Sequence, residues 1–353
     1  MANRAIESTD ANCREKSLYV MKKWLTVLCI GIVFSLSAED KTWVEKTKTL
    51  VFTYDSKDVD RIDVTNKFGN VKVVHWNKNS VKVNVNIRAN AVSNTLTEKY
   101  LDNIQIKKEV KNKVLILQTH MSEFAQNLDK KNSYCTVDYL IYMPENTQLR
   151  IENFFGDISL PECFAPLTIS LQHGKLDVPV VNNAESQLNI KFGKAVISEL
   201  VGASINSANS TVDIQVLKDA AIKFERGVLT AQDVENIKGQ IKYAKSYFNN
   251  LNQMIELDVA YTTELRLGNL NKNLKQLKIN TTYSDIQLAD FNGLLNVITT
   301  NGQVYLGQGV QAKKLTSTPS PAKNVQVYKA LIGKESDKVV IIKANHSNVK
   351  VKN

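Results

Sequence analysis

Proline is scarce in this chain, with six in 353 residues. The proline ring has no N–H to give to a β-ladder, so long sheets exclude it from their inner strands. Long apolar runs are also missing. The longest, Leu25–Phe34, is too short for a membrane helix, which needs ~20 residues. There are four cysteines and four histidines, and they form no zinc-site spacing. No Gly-x-Ser-x-Gly elbow, phosphate loop or dinucleotide fingerprint occurs. No RNP-like aromatic motif, zinc finger or helix-turn-helix pattern occurs either, so nucleic acid is not an expected partner. The repeated part of the chain has no useful helix-period segment, which excludes leucine-rich repeats and helical solenoids.

What is present is period-two alternation around a turn. In Leu149–Leu160, Leu149 and Ile151 lead to Gly156, and alternation resumes at Ile158 and Leu160. That pattern reads as strand, tight turn, strand. With Gly156 at position zero, the equivalent residues are Gly69, Gly156, Gly174, Gly193, Ser210, Gly227, Ser246, Thr263, Ser284, Gly302 and Ser347. Position +2 is apolar in every unit, and position +4 in all but one, Asn250. Position −5 is also apolar, except that the Thr263 unit slips to Asp258. A period near 18 residues marks a repeat architecture in which stacked units bury what one unit cannot. The fold expected is all-β: a single-stranded parallel β-helix, or β-solenoid, with coils of ~18 residues and a β-rich N-terminal capping section. Serine and threonine at several turns imply that position zero does not always need a left-handed backbone.

Residues 1–20 are polar and unpatterned, and read as a gene-call extension. Met21-Lys22-Lys23-Trp24, the apolar run and Ser35–Ala38 have the layout of a signal peptide over 21–38. Leu28 before Cys29 argues against lipidation, because a small residue normally precedes a lipidated cysteine. Residues 1–38 carry five basic and three acidic side chains out of 45 and 35, so most of the net +10 charge belongs to the rest of the chain. Lysine dominates it, which reads as solubility and edge protection. After cleavage Cys135 and Cys163 remain. They could pair in an oxidising envelope, though buried free thiols are the simpler expectation.

Residues 41–147 form a less regular β-rich section with one short helix over Thr95–Asn103 and a hairpin around Lys111-Asn112. Residues 148–353 carry the repeats, with a flexible interruption expected over 316–323. The chain then ends directly on a repeat. On that reading the last coil has an open edge guarded by Lys343, Lys350 and Lys352.

The stretches Ile62–Trp76 and Leu149–Ile158, with the Pro144 junction between them, resemble the secreted β-strand-repeat proteins of Bacteroidota classed as adhesins. They lie close to the auto-transporter adhesin group, a domain of unknown function. The resemblance implies a single-stranded parallel β-helix in the cell envelope. It carries over no functional residues.

The search for chemistry finds dispersed groups. Asp157, Glu264 and Asp285 stand at position +1, where only Glu264 and Asp285 fall on adjacent coils. Asp177 and Asp213 stand at position +3 with Val196 between them. His173 stands at position −1, where other units have Phe68, Phe155, Phe192 and Tyr283, and reads as a stacked turn residue. Phe154-Phe155, Tyr247-Phe248 and Tyr261 are the aromatics that could stack on sugars, although Phe248 must point inward. The reading is a non-catalytic, exported or cell-envelope binding protein without cofactor or metal. Its ligand would be a glycan or a protein, it would have no membrane helix after signal cleavage, and it would be monomeric. The alternatives are a carbohydrate-active lyase or hydrolase, and a periplasmic scaffold in envelope sensing. Export would leave it in the periplasm, on the outer membrane surface or outside the cell.

Overall fold

The alternation around Gly156 folds as the sequence implies. The strand Leu167–Gln172 lies in parallel between Gln148–Phe154 and Gln187–Lys191, so that Ile169 faces Ile151 on one side and Leu188 on the other. After the turn, Lys175–Asn182 lies between Ile158–Ser159 and Lys194–Val201. Residues about one repeat apart in sequence are thus neighbours in space. Each unit forms one layer of a stack, named here by the small residue at its turn. This computed structural model describes residues 43–126, 133–319 and 324–352. The extension and signal-peptide readings over 1–20 and 21–38 lie outside the described residues. Among the described residues the protein is all-β apart from short helical segments, and its 23 strands join in one hydrogen-bonded sheet.

The interior is built from rows that run across the layers. Val64, Ile151, Ile169, Leu188, Ile205 and Ile222 occupy one such row and are buried. Each such side chain contributes about 1.5–3 kcal/mol on burial. Gly239 continues the row, and a Cβ there would meet the side chains of Ile222 and Leu257, which close over it.

At these turns the residue before the small one is left-handed: Phe68, Phe155, His173, Phe192, Asn209 and Arg226 all have φ between 52° and 60°, and of the glycines that follow only Gly227 has positive φ as well. The glycine answers a different need. A Cβ on Gly156 would run into the carbonyl of Gly69 in the layer below. Where serine stands instead, its hydroxyl enters the ladder. Ser284 Oγ accepts the Thr262 N–H at 2.8 Å and donates to the Thr282 carbonyl at 3.0 Å. Ser347 Oγ likewise accepts from the Ser284 N–H at 2.9 Å.

Two assignments of the repeat frame are corrected. Ser246 faces Leu265, a +2 residue, so the turn residue of that layer is Ala244, and Phe248 falls at +4 in place of the anomalous Asn250. In the next layer the left-handed residue is Tyr261, followed by Thr262. Thr263 is then an extra residue that restores the downstream register.

The N-terminal section covers one end. Arg61–Lys67 and Val71–His75 stack directly on the Gly156 layer. Val114–Met121 runs parallel to the first of these, and Ser133–Met143 parallel to the second. Ser80–Ala91 then turns the sheet antiparallel, flanked by Ser133–Met143 and Val44–Asp55. The expected hairpin joins Ile104–Lys111 to Val114–Met121 through Asn112 and Lys113, both left-handed. The expected helix spans Asn94–Asp102, and the Ser93 hydroxyl accepts the Leu96 N–H at its start.

The C-terminal end departs from expectation. The chain does not finish on an outer layer. Val339–Asn345 lies between the strands of the Ser284 and Gly302 layers, and Val349–Lys352 does the same on the other face. The spatial order is therefore Ser284, Ser347, Gly302. The edge expected to be open is paired on both sides, and Lys350 instead bonds Asp285 at 3.0 Å. The reason lies in the excursion between the two units. Val325–Ile332 pairs antiparallel with Gly293–Thr300, and Ala312–Pro319 pairs with it in turn, so this hairpin covers the end. Thr316–Pro319, expected as part of a flexible interruption, is strand. Residues 320–323 of that stretch lie outside the described residues. Cys135 and Cys163 are free and buried, and burial pushes both thiols up to about 12.

Candidate functional site

The left-handed residue before each turn projects its side chain outward, and successive layers bring these side chains into register. Phe68, Phe155, His173 and Phe192 form one stack, with ring centroids 4.8 to 5.3 Å apart and planes within 10° of parallel. Tyr243, Tyr261, Tyr283 and His346 form a second, at 4.6 to 5.5 Å. The Arg226 guanidinium lies 5.2 Å from the Tyr243 ring centroid, and the Asn301 amide meets His346 Nε2 at 3.1 Å. Asn345 Oδ1 lies 3.0 Å from His346 Nδ1, so that nitrogen carries the proton and Nε2 accepts from Asn301. His173 is thus the stacked turn residue its position implied. Phe155 and Tyr261 are half exposed, whereas Phe248 is buried as its position required.

The geometry changes what these rings can do. Each inner ring is covered on both faces by its neighbours, so only ring edges and tyrosine hydroxyls meet solvent. Stacking of sugars on ring faces, the role considered for Phe155 and Tyr261, is not available within the stacks. Each stacked pair contributes about 0.5–1.5 kcal/mol beyond burial, which helps to hold a non-glycine residue in a left-handed turn.

Beside the tyrosine stack the outward face of the sheet is hollowed into a groove of about 550 Å³. Its floor follows the strand register. Asp258, Asn280, Lys343 and Ile298 lie side by side across four layers, in that order. Lys242, Ala260, Thr282, Asn345 and Thr300 form the parallel row next to the tyrosines. Ala260, the shortest side chain of that row, leaves space in the groove. Asn280 Nδ2 donates to Asp258 Oδ1 at 2.8 Å. Among the described residues Lys242 and Lys343 have no ion-pair partner, in contrast to Lys278, which is held by Glu256 at 2.5 Å.

The acidic residues at the other rows are engaged one by one. Glu264 accepts the Tyr247 hydroxyl at 2.7 Å and pairs with Arg266. The hydroxyl bond, with the arginine, holds its carboxyl below the usual range. Burial pushes Asp285 up, but the Asn348 N–H and amide and the Lys350 ammonium outweigh it and leave Asp285 low. The strands do bring the two onto neighbouring layers, next to the facing pair Leu265 and Ile286. A general acid needs a raised carboxyl, and neither residue has one. Asp157 accepts the Lys175 N–H, and Asp177 pairs with the Lys175 ammonium at 2.6 Å. Asp177 and Asp213 sit on either side of Val196, as expected. Among the described residues no group of three or more His, Cys, Asp and Glu side chains could hold a metal ion. No described helix is long and apolar enough to cross a membrane.

Tyr243 and the groove escaped sequence reasoning. Placing Ser246 at the turn put Lys245, not Tyr243, at position −1. The signal that could have found it was Asn250, the one polar residue at +4, which a shift of two replaces by Phe248.

Against known proteins, the chain matches no family model and no curated protein. Solved structures that align with it include a candidate cell adhesion protein from Clostridium sporogenes. That protein is 12% identical, with 87% of this chain and 99% of that one covered and a TM-score of 0.20. A candidate lipid-binding protein from Parabacteroides distasonis is 9% identical, with 87% and 96% covered and a TM-score of 0.30. A candidate adhesin from Parabacteroides merdae is 10% identical, with 87% and 96% covered and a TM-score of 0.26. Likeness at this level leaves the functional reading to the residues themselves.

Proposed function

We propose that the protein is a non-catalytic, exported binding protein of the cell envelope. It is a parallel β-solenoid over 148–353, capped by the β-rich section 41–147, and it holds its ligand on a side face. The observation that carries this reading is the groove beside the tyrosine stack, where amide, hydroxyl and ammonium groups stand in register and the two lysines have no ion-pair partner among the described residues. A repeating row of donors suits an extended ligand, a glycan or a protein segment, better than a small molecule enclosed in a pocket. The low carboxyls of Glu264 and Asp285 leave this pair without the proton donor that acid–base hydrolysis needs, which supports binding over hydrolysis. The basic and apolar pattern over 21–38 supports export to the periplasm, the outer membrane surface or the exterior. The exposed Lys313 and Lys314 on the outermost strand Ala312–Pro319 support a monomer.

The test is a glycan array probed with the exported protein, with mass spectrometry of the bound glycans. Retention of intact glycan is expected. Cleavage products that vanish in Glu264→Gln or Asp285→Asn would establish an enzyme instead. Failure to retain any glycan, together with failure to retain any envelope protein, would remove the binding reading.

A further inference from the structure

We infer that the groove takes an acidic polysaccharide, laid along the stack so that successive sugars meet successive layers. This rests on the binding reading above and adds the class of ligand. Charge comes first. The groove presents Lys242 and Lys343 without ion-pair partners among the described residues, against one carboxylate, Asp258, whose Oδ1 is already engaged by Asn280. An unpaired ammonium in a concave surface attracts anions more strongly than one on a convex face.

Spacing comes second. Lys242 belongs to the Ala244 layer and Lys343 to the Ser347 layer, with the Thr262 and Ser284 layers between them. Three strand spacings and a two-residue offset along the strands separate the two by ~16 Å. A single small anion cannot touch both, but a polymer carrying charge along its length can. Asn280 and Thr282 between them, with Asn345 beside Lys343, offer amides and a hydroxyl to the sugar hydroxyls, and Ala260 leaves room for a ring. Ile298 ends the floor, 43% exposed, and gives an apolar surface for the C–H face of a sugar. Tyr243, Tyr261 and Tyr283 directly follow Lys242, Ala260 and Thr282 of that row in the chain.

The covered ring faces also decide between polyanions. Single-stranded nucleic acid is held by bases stacked on exposed aromatic faces. In this stack the tyrosine faces are spent on one another. The groove therefore offers hydrogen bonds and charge without a stacking platform, which matches a polysaccharide.

The test is native affinity electrophoresis of the exported protein in gels containing dextran, dextran sulfate or polygalacturonate, with a gel-shift assay on single-stranded DNA beside it. Dextran and dextran sulfate share a backbone and differ in charge. Polygalacturonate separates carboxylate from sulfate recognition. Retardation by polygalacturonate, by dextran sulfate or by both, with none by dextran, is expected. The double substitution Lys242→Gln and Lys343→Gln should weaken it about tenfold. Lys72→Gln with Lys352→Gln removes the same charge from exposed positions outside the groove and should leave it nearly unchanged. Equal retardation by dextran, equal loss in both double variants, or tighter binding to DNA would overturn the inference. If glycans are retained on the array but charge makes no difference here, this inference fails and the binding reading stands. If no glycan is retained in either experiment, this inference fails, and the binding reading then depends on an envelope protein.

Discussion

In the middle of the stack, from the Gly156 layer to the Thr262 layer, each layer rests on the one that precedes it in the chain. At the C-terminal end that rule breaks. The Ser347 layer is inserted beside the Ser284 layer, 63 residues earlier in sequence, and the Gly302 layer is displaced outward. The same side-chain rows run through both regions: Ile279 faces Ile342, and Ile342 faces Val297. Stacking chemistry therefore fixes what can lie next to what, while chain order does not. Once two layers share a pattern, either can be the neighbour. The choice at this end goes to the arrangement that leaves no full layer with an open edge. The outermost strand is instead Ala312–Pro319. Its Lys313 and Lys314 are exposed, and Pro319 has no N–H to offer to another chain.

The sharpest way to break this comparison is to cut one core side chain in each region. Ile190, in the middle, and Ile342, in the inserted layer, are both fully buried. Each alanine substitution should cost about 2–5 kcal/mol, measured by urea unfolding. If the inserted layer were a fraying end, Ile342→Ala would cost far less than Ile190→Ala.

A smaller effect separates glycine turns from serine turns. Ser284→Val removes the acceptor for the Thr262 N–H and the donor to Thr282, and should cost about 1–3 kcal/mol by the same assay. A negligible change would mean that the hydroxyl ladder does not hold the inserted layer in register.

The smallest effect has the opposite sign. Ser246 occupies an apolar row, fully buried, and its hydroxyl lacks a partner among the described residues. Ser246→Ala should stabilise the protein by about 1 kcal/mol, seen as a rise in thermal midpoint. A fall would place a hydrogen-bonded water or an unseen partner at that hydroxyl.

The two regions also mark what the sequence could tell. The layers from Gly156 to Gly227 were legible because parallel neighbours lie 17 to 19 residues apart, so that local periodicity and three-dimensional contact coincide. Ala244 was missed because alanine fills a turn position without the glycine or serine signature, and the row of tyrosines went with it. The insertion of Val339–Lys352 left no mark in the periodicity, because Ser347 satisfies the pattern equally well at the end of the stack or inside it. The groove inherits that limit. Its floor depends on Lys343 lying between Asn280 and Ile298, which stand one repeat of 18 residues apart and which the periodicity alone would make direct neighbours.

That order can be measured directly. Asn280 and Lys343 face one another on adjacent strands, and Lys343 faces Ile298, so Asn280 and Ile298 are two strands apart. Adjacent strands place Cα atoms within the ~4.4–6.8 Å that a disulfide spans, and a two-strand gap of ~10 Å does not. Cysteines at 280 and 343 should cross-link on mild oxidation of the folded protein, and cysteines at 280 and 298 should stay free. Efficient cross-linking of 280 with 298, without that of 280 with 343, would show that the last layer lies outside the stack and that the groove is not built as described.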